Sequence, residues 1–147
     1  MVAARELIER LLYEYSASVD GGDFATTADL FGETGLYGMV GAGAACGSQQ
    51  VLRVLAGNVR LYDGRPRTRH IVTNIVVDLA PDELSATVRS YIHMIHQPPD
   101  GILAPLVAGT YHDRVHYVNG RWLFAERRMH IELAGDLSTH LFRPLTR

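Results

Sequence analysis

Three residues of the chain could carry proton-transfer chemistry. Asp20 stands at the end of an apolar helical repeat, and His70 opens a run of β-branched residues. His96 closes a second such run, in which it alternates with Met94 and Ile92. Histidine suits general acid–base catalysis because its ordinary pKa of about 6.5 lies near neutral pH. A nearby carboxylate can orient such a histidine or accept a proton from it.

The aspartate and the first histidine also have purely structural interpretations. Asp20 precedes a glycine pair and could be a solvated turn residue, at a helix end where the macrodipole disfavours an anion. His70 could be a hydrogen-bonded core residue, because period two assigns it to one face of its strand. That predicted face also carries Val72, Asn74 and Val76.

A metal site is a further possibility. Asp20, His70 and His96 together would make the two-histidine, one-carboxylate set that non-haem iron uses. No local ligand spacing supports it, since His93 and His96 are three residues apart on a strand and point to opposite faces. Cys46, the only cysteine, has small neighbours that cannot activate a thiolate. We therefore predict no metal and no cofactor.

The pattern around these residues predicts three helices followed by strands. Apolar residues at three- and four-residue spacing predict a helix over residues 5–19, and Asp23 and Ser48 are favourable caps for two more helices. The strands are predicted at residues 36–40, 68–78, 84–96, 107–117 and 122–132. Residues 41–47 are predicted to be a loop, and the last fifteen residues, His140 among them, a tail over the core. This order is typical of a single α+β domain over residues 1–147.

Composition excludes several classes of function. Fourteen basic and sixteen acidic residues give a net charge of −2, so no electrostatic footprint for nucleic acid is present. No apolar run approaches the roughly 20 residues of a membrane span. The amino-terminal residues carry charges where a signal peptide needs an apolar core, so we expect a cytoplasmic protein.

Several stretches resemble landmarks of the SnoaL-like superfamily, which has the nuclear-transport-factor-2 fold. They are residues 13–24 with Leu30-Phe31, residues 68–74, residues 109–113 and residues 119–124. They follow one another in the family's order and span roughly residues 5 to 132. The resemblance implies a cone-shaped α+β fold, in which three amino-terminal helices pack on a curved antiparallel sheet and enclose a pocket. The superfamily includes dehydratases, isomerases, epoxide hydrolases, polyketide cyclases and non-catalytic subunits, so fold alone does not identify the chemistry.

Among the branches, the chain resembles most the scytalone dehydratases and related bacterial dehydratases. Their pocket holds an aspartate from the first helix and two histidines from neighbouring strands, and the resemblance implies these roles for Asp20, His70 and His96. The chain departs from the pattern where tyrosines of the family fall at Val19 and near Gly38 or Met39, and where an asparagine of the family falls near Tyr111. The ketosteroid-isomerase branch uses a carboxylate in the first strand, which residues 36–40 lack. The residues predicted to contact substrate are Tyr15, Val19, Met39, Asn74, Met94 and Tyr111.

The resulting hypothesis is a cofactor-independent lyase of secondary metabolism, which eliminates water from a small, cyclic, largely apolar metabolite. His70 would be the base, Asp20 would orient it, and His96 with Tyr111 would polarise the carbonyl. Gly109, on the same strand face as Tyr111, would leave space for the ligand. The alternatives are a polyketide or polyether cyclase or an isomerase of the same fold, and a non-catalytic ligand-binding or structural subunit.

The expected partners are a small-molecule substrate and further copies of the chain. The predicted sheet face with Arg89, Tyr91 and His93 has more aromatic and apolar character than a solvated surface needs. Relatives of this fold commonly pair through such a face. We therefore expect a homodimer or homotrimer, and no nucleic-acid or membrane partner.

Overall fold

The computed structural model describes residues 2–144. Three helices and six strands follow one another in this part of the chain. They are α1 (Ala4–Asp20), α2 (Phe24–Asp29), β1 (Leu36–Met39), β2 (Ala44–Cys46), α3 (Gly47–Asn58), β3 (Thr68–Leu79), β4 (Ser85–His96), β5 (Ala104–Val118) and β6 (Arg121–Ala134). None of the helices is long and apolar enough to cross a membrane within the described residues.

The strands form one sheet in the order β2-β1-β6-β5-β4-β3, and the helices pack against it. The α+β class is therefore confirmed. The sheet is not wholly antiparallel, because β1 runs parallel to β6. The loop predicted over residues 41–47 was wrong in part, since Ala44–Cys46 pairs with β1 as β2. Small residues carry no alternation of polarity, so this strand left no periodic signal.

Helix α1 buries the apolar stripe that its spacing predicts, and Ile8, Leu12 and Tyr15 belong to the core. The helix stops at Gly21-Gly22, where Gly22 has a φ of +76°. A Cβ on Gly22 would lie 2.0 Å from the carbonyl oxygen of Gly64, so the helix end packs directly on the turn that leads into β3.

The predicted caps of the two other helices had different outcomes. The Asp23 side chain accepts a hydrogen bond from the backbone N–H of Thr26 at 3.1 Å, which confirms it as the cap of α2. Ser48 is not a cap, because α3 begins at Gly47 and Cys46 occupies the capping position without a side-chain bond. The Gln50 side chain instead accepts from the backbone N–H of Cys46.

A β-bulge in β3 reverses which residues face the core. The register with β4 shifts between Thr73 and Val76, and Asn74 adopts a φ of +55°. One extra residue exchanges the two faces of a strand. The predicted common face of His70, Val72, Asn74 and Val76 is therefore wrong beyond Val72, since Asn74 and Val76 are exposed. Strand β4 has no such reversal, so His96 is buried and His93 is exposed, as its alternation predicts.

The segment after β6 folds back over the end of α3. The backbone N–H of Arg60 donates to the carbonyl of His140 at 2.8 Å, and that of Phe142 donates to Asn58 at 2.9 Å. Val59 and Leu141 form an isolated antiparallel bridge. The predicted tail thus lies against the body of the domain as far as residue 144. The last three residues of that prediction lie outside the described residues.

Candidate active site

A cavity of about 410 Å³ lies between α1, α3, the inner face of the sheet and the carboxyl-terminal segment. Most of its wall is apolar. The apolar residues include Val19, Leu55, Met94, Val107, Ile131 and Leu141. The polar side chains on the wall include His70, Tyr15, Tyr37 and His140. This combination is typical of sites for small organic ligands.

The central feature of the site is the contact between Asp20 and His70. Asp20 Oδ1 lies 2.6 Å from Nδ1 of His70, and each side chain is only 7% exposed. Asp20 Oδ2 accepts the backbone N–H of His70 at 2.8 Å, and Oδ1 also accepts the hydroxyl of Thr68 at 2.7 Å. Both carboxylate oxygens are therefore held by the first residues of β3.

These bonds keep Asp20 ionised and decide which nitrogen of His70 is available. Burial opposes ionisation of Asp20, but the hydrogen bonds and charge of His70, with the hydroxyl of Thr68, outweigh it and lower the pKa of Asp20. An ionised carboxylate only accepts hydrogen bonds, so Nδ1 of His70 must be the donor. In the neutral ring Nε2 is then unprotonated, which is the state required of a general base.

The fold explains why an anion is tolerated at the end of α1. The partial negative charge of a helix carboxyl terminus is unfavourable for Asp20. Gly22 packs on the turn before β3, and this close approach brings the first residues of that strand to the carboxylate. Three donated hydrogen bonds then compensate for the helix end.

Two tyrosines lie beside Asp20 and His70, which together form a dyad. The hydroxyl of Tyr15 donates to that of Tyr37 at 3.2 Å, and the ring of Tyr15 meets the His70 ring edge-on at 6.2 Å. Burial raises the pKa of both phenols, so they are protonated donors at neutral pH. Because Tyr15 donates to Tyr37, the hydroxyl proton of Tyr37 is left for a ligand. Tyr37 was not among the residues selected from the sequence, although it lies close to the position where the family pattern has a tyrosine.

His96 does not lie on the wall of this cavity. Its Nδ1 is 3.0 Å from the carbonyl oxygen of Arg67, and its Nε2 is 3.2 Å from the hydroxyl of Thr139. Both ring nitrogens are therefore used by groups of the protein. The predicted contact between His96 and a substrate carbonyl does not fit this placement. The sequence predicts the buried face of β4 correctly, but it does not show that the carboxyl-terminal segment covers that histidine.

The residues predicted to contact substrate divide into two groups. Those on the cavity wall are Tyr15, Val19, Met39 and Met94. Asn74 is not on the wall, because the bulge in β3 turns it to the exposed face. Tyr111 is fully buried behind the wall, and its hydroxyl has no hydrogen-bond partner within residues 2–144. The space beside Gly109 is filled by β6, since a Cβ there would lie 2.0 Å from the carbonyl oxygen of His130.

His140 lines the cavity, although nothing in the sequence indicates that it should. It is 8% exposed and comes from the carboxyl-terminal segment, which has neither helical nor strand periodicity. No local signal in the sequence distinguishes it from a solvated histidine. Only the pairing of its backbone with the end of α3 brings it to the cavity.

A second buried carboxylate lies beneath the site. Asp113 makes two hydrogen bonds of 2.9 Å with Arg127, and both side chains are completely enclosed. The guanidinium carbon lies 3.7 Å from the ring centre of Tyr111 and 4.3 Å from that of Tyr15. Burial alone would lower the pKa of Arg127, but the charge of Asp113 reverses this and raises it. The ion pair supports the aromatic floor of the site and does not line the cavity.

The described residues bring together no group of three histidine, cysteine, aspartate or glutamate side chains that could hold a metal ion. The iron alternative would need Asp20, His70 and His96 to converge. His96 instead directs its two nitrogens to Arg67 and Thr139. Cys46 is exposed, and its thiol donates to the carbonyl of Thr34 at 3.7 Å.

Comparison with solved structures gives the same fold. A provisionally assigned scytalone dehydratase from Novosphingobium aromaticivorans is 27% identical, with a TM-score of 0.74 over 90% of this chain and 86% of that protein. An NTF2-like protein with a cystatin-like fold, from the same organism, is 20% identical, with a TM-score of 0.74 over 92% of this chain and 86% of that one.

The Streptomyces coelicolor protein ActVI-ORFA is 20% identical, with a TM-score of 0.72 over 87% of this chain and 96% of that protein. No curated protein sequence matches the chain. The family model of the SnoaL-like domain matches residues 1–128 of the sequence. This range contains both members of the dyad and all six strands except the end of β6. The chain therefore belongs to the SnoaL-like domain family.

Proposed function

We propose that the chain is a cofactor-independent lyase, which removes water from a small, cyclic, largely apolar β-hydroxycarbonyl compound. The observation that carries this proposal is the buried Asp20–His70 pair, whose histidine opens onto an apolar cavity. A carboxylate that fixes the tautomer of a histidine is the arrangement that general-base catalysis requires. A purely structural histidine would gain nothing from facing a cavity of this size.

In the first step, Nε2 of His70 removes a proton from the carbon next to the substrate carbonyl. The electrons of that C–H bond form an enolate, and His70 becomes an imidazolium whose charge Asp20 stabilises. In the second step, the enolate restores the carbonyl and forms a carbon–carbon double bond as the C–O bond to the β-hydroxyl breaks. The proton on His70 passes to the departing hydroxide to give water, so the enzyme returns to its starting state.

The tyrosine pair supports the same reaction. Tyr37 accepts from Tyr15 and keeps its own proton for a substrate oxygen. Because burial raises the pKa of both hydroxyls, neither competes with His70 as a base. The apolar wall excludes water, which strengthens each of these hydrogen bonds.

A direct test uses 3-hydroxy-1-tetralone, because elimination followed by tautomerisation gives the fluorescent product 1-naphthol. We expect the wild type to form 1-naphthol, and His70→Asn to lower turnover by about 10²–10⁴-fold, the usual worth of a general base. His130→Asn is the matched control, since His130 is exposed on the other face of the sheet. Equal turnover in wild type and His70→Asn would refute the proposal.

Proton exchange separates the lyase from its alternatives. In D₂O, 1-tetralone can lose an α-proton but has no hydroxyl to eliminate. Exchange that depends on His70, without elimination from the hydroxyketone, would favour a cyclase or isomerase that shares the first step. Binding of 1-tetralone with no exchange would favour a non-catalytic ligand-binding subunit.

A further inference from the structure

The mechanism above leaves His140 unused, although it lies on the cavity wall. The residue is 8% exposed, and its Nδ1 is enclosed without a hydrogen-bond partner among residues 2–144. An enclosed N–H without a partner is more costly than an enclosed bare nitrogen, since buried orphan N–H groups are rare. In the favoured neutral tautomer, Nδ1 is therefore unprotonated and Nε2 carries the proton. Unlike Nδ1, Nε2 is not both buried and without a partner.

The surroundings keep His140 uncharged. Burial, followed by the charges of His70 and His96, lowers the pKa of His140 to about 4. A neutral imidazole is a hydrogen-bond donor that does not repel the imidazolium formed on His70 during the reaction. A positive charge on His140 would make that protonation less favourable.

The backbone that carries the His140 ring is held from two sides. The backbone of His140 is fixed by the bond from Arg60, and its N–H donates to the carbonyl of Leu137 at 3.0 Å. The preceding residue, Thr139, meets Nε2 of His96 through its hydroxyl at 3.2 Å. The hydroxyl of Tyr62 donates to the carbonyl of Thr139. His96 thus contacts the segment that carries His140.

We propose that His140 binds the carbonyl oxygen of the substrate and that His96 is a positioning residue acting through Thr139. The proposal rests on the proposed function for the presence of a carbonyl in the ligand. It replaces the role that the sequence assigned to His96. Negative charge grows on the carbonyl oxygen as the enolate forms, so a donor at this oxygen stabilises the transition state more than the ground state.

The test compares binding of two probes that differ by one oxygen, 1-tetralone and the hydrocarbon tetralin. Affinities are measured by titration calorimetry of the whole chain, and folding is checked by circular dichroism. We expect the wild type to bind the ketone at least tenfold more tightly than the hydrocarbon. His140→Phe should abolish that preference and keep tetralin binding, whereas His140→Gln, which retains an N–H donor, should keep part of it. His130→Asn should behave as the wild type.

A wild type without ketone preference, or His140→Phe with the full preference, would overturn the inference. Binding needs no turnover, so this result is independent of the dyad. A ketone preference that depends on His140, together with no proton exchange in the wild type, would refute the lyase and retain His140 as the carbonyl ligand. Exchange that depends on His70 but not on His140 would retain the lyase and refute His140 as the carbonyl ligand.

The positioning role of His96 has its own test. Thr139 is exposed, so Thr139→Val removes the hydroxyl at little cost to the fold. We expect this variant to lose part of the ketone preference, and Thr139→Ser, which keeps the hydroxyl, to restore it. Equal loss in the valine and serine variants would show that the hydroxyl contact with His96 has no part in positioning His140.

Discussion

Two buried carboxylates, Asp20 and Asp113, each have one nitrogenous partner, but they serve the molecule differently. Asp113 faces Arg127 through two parallel bonds of 2.9 Å, and neither side chain has any exposed surface. Asp20 faces His70 through one side-chain bond of 2.6 Å, and the histidine lies on the cavity wall. A guanidinium keeps its charge throughout, whereas an imidazole can gain and lose a proton near neutral pH.

The comparison shows that burial and pairing do not by themselves identify a catalytic carboxylate. The Arg127–Asp113 pair is the more enclosed of the two and holds three aromatic rings in place, among them Tyr15 of the site. The Asp20–His70 pair is distinguished by a partner that can exchange its proton and that lies on the cavity wall. The first pair should therefore govern stability and the second turnover.

We expect turnover to change more than any other property. Asp20→Asn and His70→Asn should each lower kcat by about 10²–10⁴-fold, which corresponds to roughly 3–5 kcal/mol of barrier. The double variant should be little worse than either single one, because residues that act as a unit are non-additive. The measurement is formation of 1-naphthol by all three variants, each checked by thermal melting.

Thr68→Val is the matched control for the loss of a hydrogen bond to Asp20 that does not involve His70. It removes one donor to the carboxylate but leaves both bonds from His70. Its turnover should fall much less than that of Asp20→Asn. Additive losses in the double variant, or a Thr68→Val loss as large as that of Asp20→Asn, would contradict the assignment of the dyad.

The next effect concerns stability and belongs to the other pair. Arg127→Met leaves Asp113 enclosed without its cation, so we expect the free energy of unfolding to fall by about 3–5 kcal/mol. Replacing both residues, with Asp113→Leu added, should recover much of that loss, because no charge is then left enclosed. Urea unfolding measures all three proteins. A double variant no more stable than Arg127→Met would show that the pair contributes by its geometry and not by mutual neutralisation.

The smallest of the three effects is a pH dependence of stability due to His140. The pKa of His140 is about 4 in the folded chain and about 6.5 in the unfolded chain. Between pH 4 and pH 6.5 the unfolded chain therefore binds one proton more than the folded chain. The free energy of unfolding should therefore fall on acidification from pH 6.5 to 4, by on the order of 3 kcal/mol. Asp20, whose pKa is lowered, loses its contribution only at lower pH, as the pH falls through its folded value.

His140→Gln should remove this slope, and His130→Asn should keep it. The measurement is urea unfolding of the three proteins at pH 7.0, 5.5 and 4.5. Parallel pH profiles for wild type and His140→Gln would mean that folding does not lower the pKa of His140.

The features of this protein that depend on neighbours along the chain could be predicted from its sequence. The spacing of α1 and the glycine pair after it located Asp20 at a helix end, and the alternation of β4 predicted a buried His96 and an exposed His93. These patterns are reliable because helix and strand periods are local properties of the backbone.

Which polar side chains meet at the cavity depends on the three-dimensional packing of the chain. The bulge at Asn74 exchanged the faces of β3, β6 filled the space beside Gly109, and the carboxyl-terminal segment covered His96 and presented His140. Each of these outcomes depends on contacts between residues far apart in the sequence, where no local period reports the partner. The elements of the site were therefore predictable from the sequence, and its second histidine was not.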